Sequence, residues 1–263
     1  MDGIIRQEEN TTNMNVKNKM ALILSISLLL CLGSYIIISN IFENIERQLI
    51  EKCRIEAQLG AKTLSKFMDL LISANILKME DLFDTDYREI SNSSPKRYTT
   101  RYDEILDKHI HRYQDHFLTL DRDLVYAVLV DKNGYAPTHN TTYSQPPSGD
   151  TAFNLKYSRS KRKFDDPVGL KAARYNGTGT IEQLYPRDTG EYIWDIASPV
   201  VVKDTHWGAF RVGVSLKSID EVKNNMLLII VMTIFTIVSL TLLMLFLIIP
   251  RKLLEADLDS RKY

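Results

Sequence analysis

Arginine is the residue type in this chain best suited to do chemistry. Arg159, Lys161, Arg162 and Lys163 form a basic cluster followed at once by Asp165 and Asp166. Guanidinium groups in such a cluster suit bidentate contacts to a carboxylate or phosphate, while the two acids beside them equally suit a solvated loop whose charge is offset locally. Three histidines, His109, His111 and His116, invite a metal reading. His109 and His116 stand seven apart and no H-x-x-x-H pair occurs, so surface histidines on an amphipathic helix fit better. Asp204 and His206 are two apart at a tight turn, without the nucleophile that a triad needs. No nucleophile elbow, P-loop or zincin helix occurs, and the expectation is that the chain is not an enzyme. Of two cysteines, Cys31 lies within a long apolar run and only Cys53 outside one. That excludes a C-x-x-C-H haem attachment and a Cys-rich zinc site, so neither a cofactor nor a metal is expected.

The elements that must position these residues begin with the two apolar runs, Met20–Phe42 and Met226–Ile249. Each exceeds the roughly 18 residues that read as a membrane-spanning helix. A cleavable signal peptide is the alternative for the first, but the run outlasts an h-region and no A-x-A site follows. Lys17, Lys19, Arg251 and Lys252 flank the runs, which favours both chain ends in the cytoplasm and residues 43–225 outside it. The expected organisation is a cytoplasmic tail at 1–19, spans at 20–42 and 226–249, an extracytoplasmic domain at 43–225 and a short cytoplasmic tail at 250–263. The whole chain carries 33 basic and 33 acidic residues, a balance that argues against nucleic acid as a partner.

Past the first span, Phe42, Ile45, Leu49, Cys53, Ala57, Gly60, Leu64, Phe67, Leu71 and Ala74 step by three or four, one face of a helix expected to run unbroken to about Phe83. That narrow stripe suits a dimer seam, packing on a sheet, or both. In the dimer reading, Cys53 would approach its copy closely enough for a disulfide. A second helix spans about Arg101–Leu120. Leu124–Val130 is a strand, and Asn133-Gly134 after it signals a hairpin. A long connection with little pattern runs from Pro137 to about Lys163. A short helix over Val168–Arg174 follows, with Asp166 and Pro167 at its start. From about Thr180 the turn signals Asp188-Thr189-Gly190 and Lys203-Asp204-Thr205 divide a three-strand meander, which a polar connector, Leu216–Asn225, joins to the second span.

The series Asp131-Lys-Asn-Gly-Tyr-Ala-Pro-Thr-His139-Asn140, Tyr143-Ser-Gln-Pro, Arg159 to Asp166, Gly169-Leu170 with Ala172-Ala173-Arg174, Arg187-Asp-Thr-Gly-Glu191 and His206-Trp-Gly208 resembles the extracytoplasmic sensor region of bacterial methyl-accepting chemotaxis proteins. The resemblance covers about Leu124–Ser215. It implies an α+β membrane protein in which two transmembrane helices flank a Cache/PAS-like sensor with a long N-terminal helix and a five-stranded antiparallel sheet. It further implies a homodimer in the inner membrane that detects a small-molecule or anionic extracytoplasmic solute and passes helix motion across the bilayer. Ile249 to Leu254 looks like the opening of a HAMP helix, yet 13 residues follow Pro250. The expectation is therefore a truncated or stand-alone receptor without its output domain. The alternative is a membrane subunit that binds nothing and pairs with full-length receptors or other signalling proteins. In such a sensor the connection Pro137–Arg174 closes over the sheet, and the resemblance implies a pocket reached by Tyr126, His139, Asn140, Arg159, Arg162, Tyr185, Trp194 and Arg211. The competing arrangement pairs Arg162 with Asp165 or Asp166, and Arg211 with Asp195, as purely structural ion pairs.

Overall fold

The structure, a computed structural model, describes residues 16–248. In chain order the elements are α1 (Val16–Ser73), α2 (Met79–Leu82), β1 (Arg88–Glu89), β2 (Tyr98–Thr99), α3 (Asp103–Leu120), β3 (Leu124–Asp131), β4 (Tyr135–Ala136), a 3-10 turn (Thr141–Tyr143), α4 (Thr151–Tyr157), β5 (Arg162–Lys163), α5 (Pro167–Ala173), β6 (Ile181–Pro186), β7 (Tyr192–Val202), β8 (Thr205–Ser215) and α6 (Leu216–Ile248). Two compact units divide them, one of residues up to 45 and from 221 onward, the other of residues 46–220.

The first unit holds the apolar parts of α1 and α6, both long and apolar enough to cross a membrane, with mean hydropathy 2.5 and 2.7 over their most apolar windows. Within it the Ser27 and Thr241 hydroxyls share a hydrogen bond. Thr233, Thr236 and Thr241 donate back to the carbonyls of Ile229, Met232 and Ile237, so no hydroxyl of the three is left unmet on an apolar helix. The helical start at Val16 takes in the last residues of the expected 1–19 tail, and the expected connector Leu216–Asn225 is helical from its first residue. The remainder of that tail, Ile249 and the HAMP-like segment lie outside the described residues.

In the second unit a four-stranded antiparallel sheet has the order β3-β8-β7-β6. The meander β6, β7, β8 is as its turn signals predict. The fifth strand implied by the resemblance is not in this sheet: β4 pairs with β5 in a separate two-stranded ladder. The expected hairpin is overturned for the same reason. Gly134 does turn the chain at φ +76, but Asp131 Oδ1 accepts the Asn133 and Tyr135 N–H groups (2.8 and 2.9 Å) and directs β4 away from β3. The outward N–H groups of β3 go to side chains instead, Ala127 N to Asn140 Oδ1 (2.9 Å) and Leu129 N to Gln114 Oε1 (2.8 Å).

Both faces of the sheet are buried. One carries Ala127, Leu129, Ile196, Val200, Phe210, Val212 and Val214, packed on Cys53, Ala57, Leu64, Met68 and Leu71 of α1 and on Leu106 and Ile110 of α3. The α1 stripe is thus covered by the sheet, and Cys53 is fully buried, its thiol pushed up to about 12 by burial. That overturns the expected inter-chain disulfide at Cys53. The α1 side chains left exposed are those of the opposite face, among them Ile55, Leu59 and Leu70. Nor does the helix reach Phe83. Asn75 takes φ +56, and the bonds Asn75 N to Ile72 O (3.0 Å) and Ile76 N to Leu71 O (2.9 Å) close a Schellman cap with asparagine in the left-handed position.

Gly60 marks the closest approach of α1 to the sheet. A Cβ there would meet the Phe210 ring at 2.1 Å, and Phe210, fully buried, is backed by Phe117 with centroids 5.1 Å apart. Helix propensity favours Ala over Gly by about 1 kcal/mol. Overpacking costs about 1–3 kcal/mol, the larger effect where the ring cannot yield. Gly60→Ala should therefore lower the melting temperature of the full chain, followed by tryptophan fluorescence in detergent. A raised melting temperature would show that Phe210 has room to move.

Candidate functional site

The opposite face of the sheet is where the charge collects. Strand period places Tyr126 of β3, Asp195 of β7 and Arg211 of β8 on this face, with Gln183 and Tyr185 reaching it from β6. Gly213 lies between Tyr126 and Asp195 in the register. Its missing side chain lets the Tyr126 ring cross the strand, since a Cβ would stand 2.5 Å from that ring. Tyr126 Oη then donates to Asp195 Oδ1 at 2.6 Å, Arg211 Nε donates to the same oxygen at 3.0 Å, and Gln183 Nε2 donates to Oδ2 at 3.2 Å.

The long connection supplies the roof. Its short helices have local causes: Asp150 caps α4 through the Ala152 N–H, and Asp166 caps α5 through the Val168 and Gly169 N–H groups, with Pro167 at the helix start. Tyr185 Oη donates to Asp166 Oδ2 at 3.0 Å and so ties β6 to α5. Arg159 and Arg162 share one carboxylate, Asp188 of the β6–β7 turn, at 2.7 and 2.6 Å, and both donate to Leu155 O at the end of α4. Their guanidinium groups lie 5.0 and 5.4 Å from the Phe164 ring centre. Arg187, from the same turn, lies 6.0 and 5.6 Å from the Tyr126 and Tyr143 rings and donates to Glu191 at 2.7 Å.

Four buried arginines thus face one buried carboxylate, Asp195, with Asp188 and Glu191 at the solvent edge. Four of their N–H positions have no acceptor among the described residues: Arg159 Nε, Arg187 Nε and Nη2, and Arg211 Nη2. On Arg187 those two positions form one edge of the guanidinium, the geometry of a bidentate carboxylate contact. Arg159 and Arg211 line a cavity of about 10 Å³ together with Tyr126, Val128, His139, Phe164 and Tyr185, while Arg187 lies outside that lining, against the Tyr126 ring. The cavity has room for roughly one water.

Electrostatics follow from burial and positive charge. Burial, then Arg159, Arg187, Arg162 and Arg211, hold the His139 imidazolium well below its usual range, so the ring is neutral. Its Nδ1 accepts the Asn140 N–H at 2.9 Å. Burial opposes the ionised Asp188, but Arg159 and Arg162 outweigh it and draw that carboxyl below its usual value. Burial pushes the Tyr185 hydroxyl up to about 12, against the pull of Arg211.

Of the eight expected residues, Tyr126, His139, Arg159, Tyr185 and Arg211 line the cavity and Arg162 stands behind Arg159 on Asp188. Arg162 therefore pairs with neither Asp165 nor Asp166, whereas the Arg211–Asp195 pair is present. Two residues go elsewhere. Trp194 alternates to the α1 side of β7 and packs in that core, and the Asn140 amide oxygen is taken by the β3 edge. Arg187, Asp188 and Phe164 are the additions. Arg187 and Asp188 enter the sequence reading as a turn and as part of the Arg187–Glu191 segment of the resemblance, but nothing local in that segment marks either as a site residue.

Elsewhere in the unit, Cys53 Sγ and carboxylate oxygens of Glu56 and Asp121 lie within 4.8 Å of one another. Lys52 Nζ already stands 2.7 Å from Asp121, and burial together with Asp121 pushes the Glu56 carboxyl up to about 7.

No protein-family model matches the chain, and no curated protein matches it. Among solved structures it is similar to the sensor domain of E. coli DcuS, with TM-score 0.31 and 16% identity, over 44% of this chain and 72% of that one. It is similar also to the ligand-binding domain of the Campylobacter jejuni chemoreceptor Tlp3 in complex with L-valine, with TM-score 0.39 and 10% identity, over 74% of this chain and 66% of that one. A third likeness is to the sensor domain of the V. cholerae histidine kinase DctB, with TM-score 0.34 and 16% identity, over 70% of this chain and 59% of that one.

The neutral His139 makes stability depend on pH. The unfolded chain takes up a proton near pH 6.5 while the folded one does so only well below it, so the folded state loses stability as pH falls from about 6.5. The loss is about 1.4 kcal/mol per pH unit until the folded value is reached. His139→Gln should flatten the fall in melting temperature between pH 7 and pH 5. Parallel profiles for the two proteins would show that His139 is not held neutral.

Proposed function

We propose that this chain is a membrane-anchored sensor whose 43–225 segment binds a small anion, a carboxylate or similar oxyanion, on the arginine-bearing face of its sheet. The observation that carries the reading is the set of buried N–H positions on Arg159, Arg187 and Arg211 that have no acceptor among the described residues. Each buried unmet donor costs about 1–3 kcal/mol, which an oxyanion placed among them recovers. Tyr126, His139, Tyr185, Arg162 and Phe164 complete the site in this reading. No Ser, Thr or Cys is among the residues that line the cavity, and a neutral His139 whose Nδ1 is already engaged supports binding rather than catalysis.

In the same reading the two apolar helices hold the chain in the inner membrane with the sensor outside. The chain works as a chemoreceptor-like homodimer whose contact uses the exposed side of α1, and it hands helix motion to a signalling partner. The basic flanks and the residue resemblance support this orientation and role. The second reading, a subunit that binds nothing and pairs with full-length receptors, is favoured by the tightness of the cavity, about 10 Å³, and by the partners that Asp188 and Asp195 already provide.

Thermal shift of the full chain in detergent, against acetate, other small carboxylates, sulfate and phosphate, separates the two. An anion at a hundred times its dissociation constant should stabilise the fold by about 2.7 kcal/mol. Arg187→Met should abolish that shift while leaving cooperative unfolding, because among the described residues its side chain gives up only the exposed acceptor Glu191. A shift that survives Arg187→Met and Arg211→Met alike would sink the assignment. For topology, reporter fusions at Asn92 and Tyr263 should report opposite sides of the membrane. Equal signals would contradict the proposed orientation.

A further inference from the structure

We infer that the turn between β6 and β7 carries the site's own competing anion: Asp188 holds Arg159 and Arg162 closed in the resting protein, and an incoming oxyanion enters by taking its place. The inference rests on the anion-binding reading above and adds a regulation to that site.

The geometry supports it in three ways. First, both oxygens of Asp188 are engaged, one on each arginine, at 2.7 and 2.6 Å. Second, the Arg159 and Arg162 side chains are 3% and 8% exposed while that of Asp188 is 30% exposed. The carboxylate therefore stands on the solvent side of the guanidinium groups, and the cavity that Arg159 lines admits roughly one water. Third, the arginines do not need Asp188 to stay in place. Both donate to Leu155 O as well, so releasing the turn leaves two anchored guanidinium groups facing the opening.

The turn is a small unit held by its own bonds. It is closed on itself by Arg187 N to Glu191 O and Gly190 N to Arg187 O (2.8 and 2.9 Å), with Gly190 at φ +85. Arg187, with its two unmatched N–H positions, sits on the same turn. Glu191 meanwhile holds the third position of Arg187 from the solvent side. The turn thus presents two acids to three arginines of the site. A carboxylate tethered on so short a segment competes at an effective concentration on the order of mM. Exchange of one carboxylate for another leaves the number of charge-assisted bonds unchanged, so an entering anion gains only from positions that Asp188 does not reach, such as Arg159 Nε and Arg211 Nη2.

Acetate, sulfate and inorganic phosphate titrations of the full chain in nanodiscs, read by thermal shift, test this with Asp188→Asn, which removes the charge and keeps the shape. The half-saturating concentration of the responding anion should fall about tenfold in the variant. An unchanged or higher value overturns the latch and leaves the sensor reading standing. Should Asp188→Asn lose cooperative unfolding, Glu191→Gln, at an exposed position, should lower the same concentration about threefold, and no change there overturns the proposal. If neither wild type nor variant responds to any of the three anions, the anion-sensor reading fails. The latch is then decided by phenylglyoxal modification of Arg159 and Arg162 mapped by mass spectrometry. A rate about tenfold faster in Asp188→Asn upholds the closed contact, and equal rates overturn it.

Discussion

A guanidinium group taken wholly out of water needs a counterion, and the pair Arg211–Asp195 is the one on which the polar face of this sheet depends. Removing either partner would strand a buried charge at a cost of about 3–5 kcal/mol. The same carboxylate takes the Tyr126 hydroxyl and the Gln183 amide, so all four strands meet at one side chain. Burial alone would make the Arg211 guanidinium easier to deprotonate, but Asp195, Tyr126 and Tyr185 more than reverse that, and the charge is held firmly on the arginine. A well-packed apolar pair would stabilise the fold as well or better.

The connection over that face is anchored from behind by a second polar network. Asp131, at the end of β3, accepts the hydroxyls of Tyr87 and Tyr102 along with two backbone N–H groups, and Asp103 accepts the Tyr135 hydroxyl and the Thr100 side chain. Tyr135 stands in the β4–β5 ladder, so this network fixes the strand that carries Arg162. Trp207 adds a bond from its indole N–H to Leu82 O (2.8 Å), joining the far end of β8 to α2. The arginines therefore project from a segment with few regular bonds of its own but firm attachments at its root.

Much of the fold was legible in the residues because local rules decide it. Asp166 and Pro167 announce α5, the glycine at 190 and the Lys203-Asp204 pair announce the turns of the meander, and the 3.6-residue stripe of α1 announces a buried face. What escaped depends on pairings distant in sequence. Asn140 resembles a ligand contact until β3 is known to be an edge strand whose N–H groups need acceptors. Trp194 cannot be assigned a face where both faces of β7 are buried and no polar alternation marks them. Arg187 is invisible as a site residue because its significance comes from Tyr126 and Tyr143, distant in sequence, which the tertiary fold brings beside it. The end of α1 escaped for another reason: asparagine, rather than the commoner glycine, adopts the left-handed cap at position 75.

The side chains of Gln114 and Asn140 along β3 bear on assembly as well as folding. An edge strand ordinarily offers a row of free N–H and C=O groups on which a further strand, from another copy or from an extended peptide, can pair. At Ala127 and Leu129 that template is already occupied, so strand addition at this margin would have to strip out two buried amides first. Growth of the sheet on the β3 side is thereby blocked, and aggregation of the unit through that edge is disfavoured by the same contacts that hold the connection over the arginines.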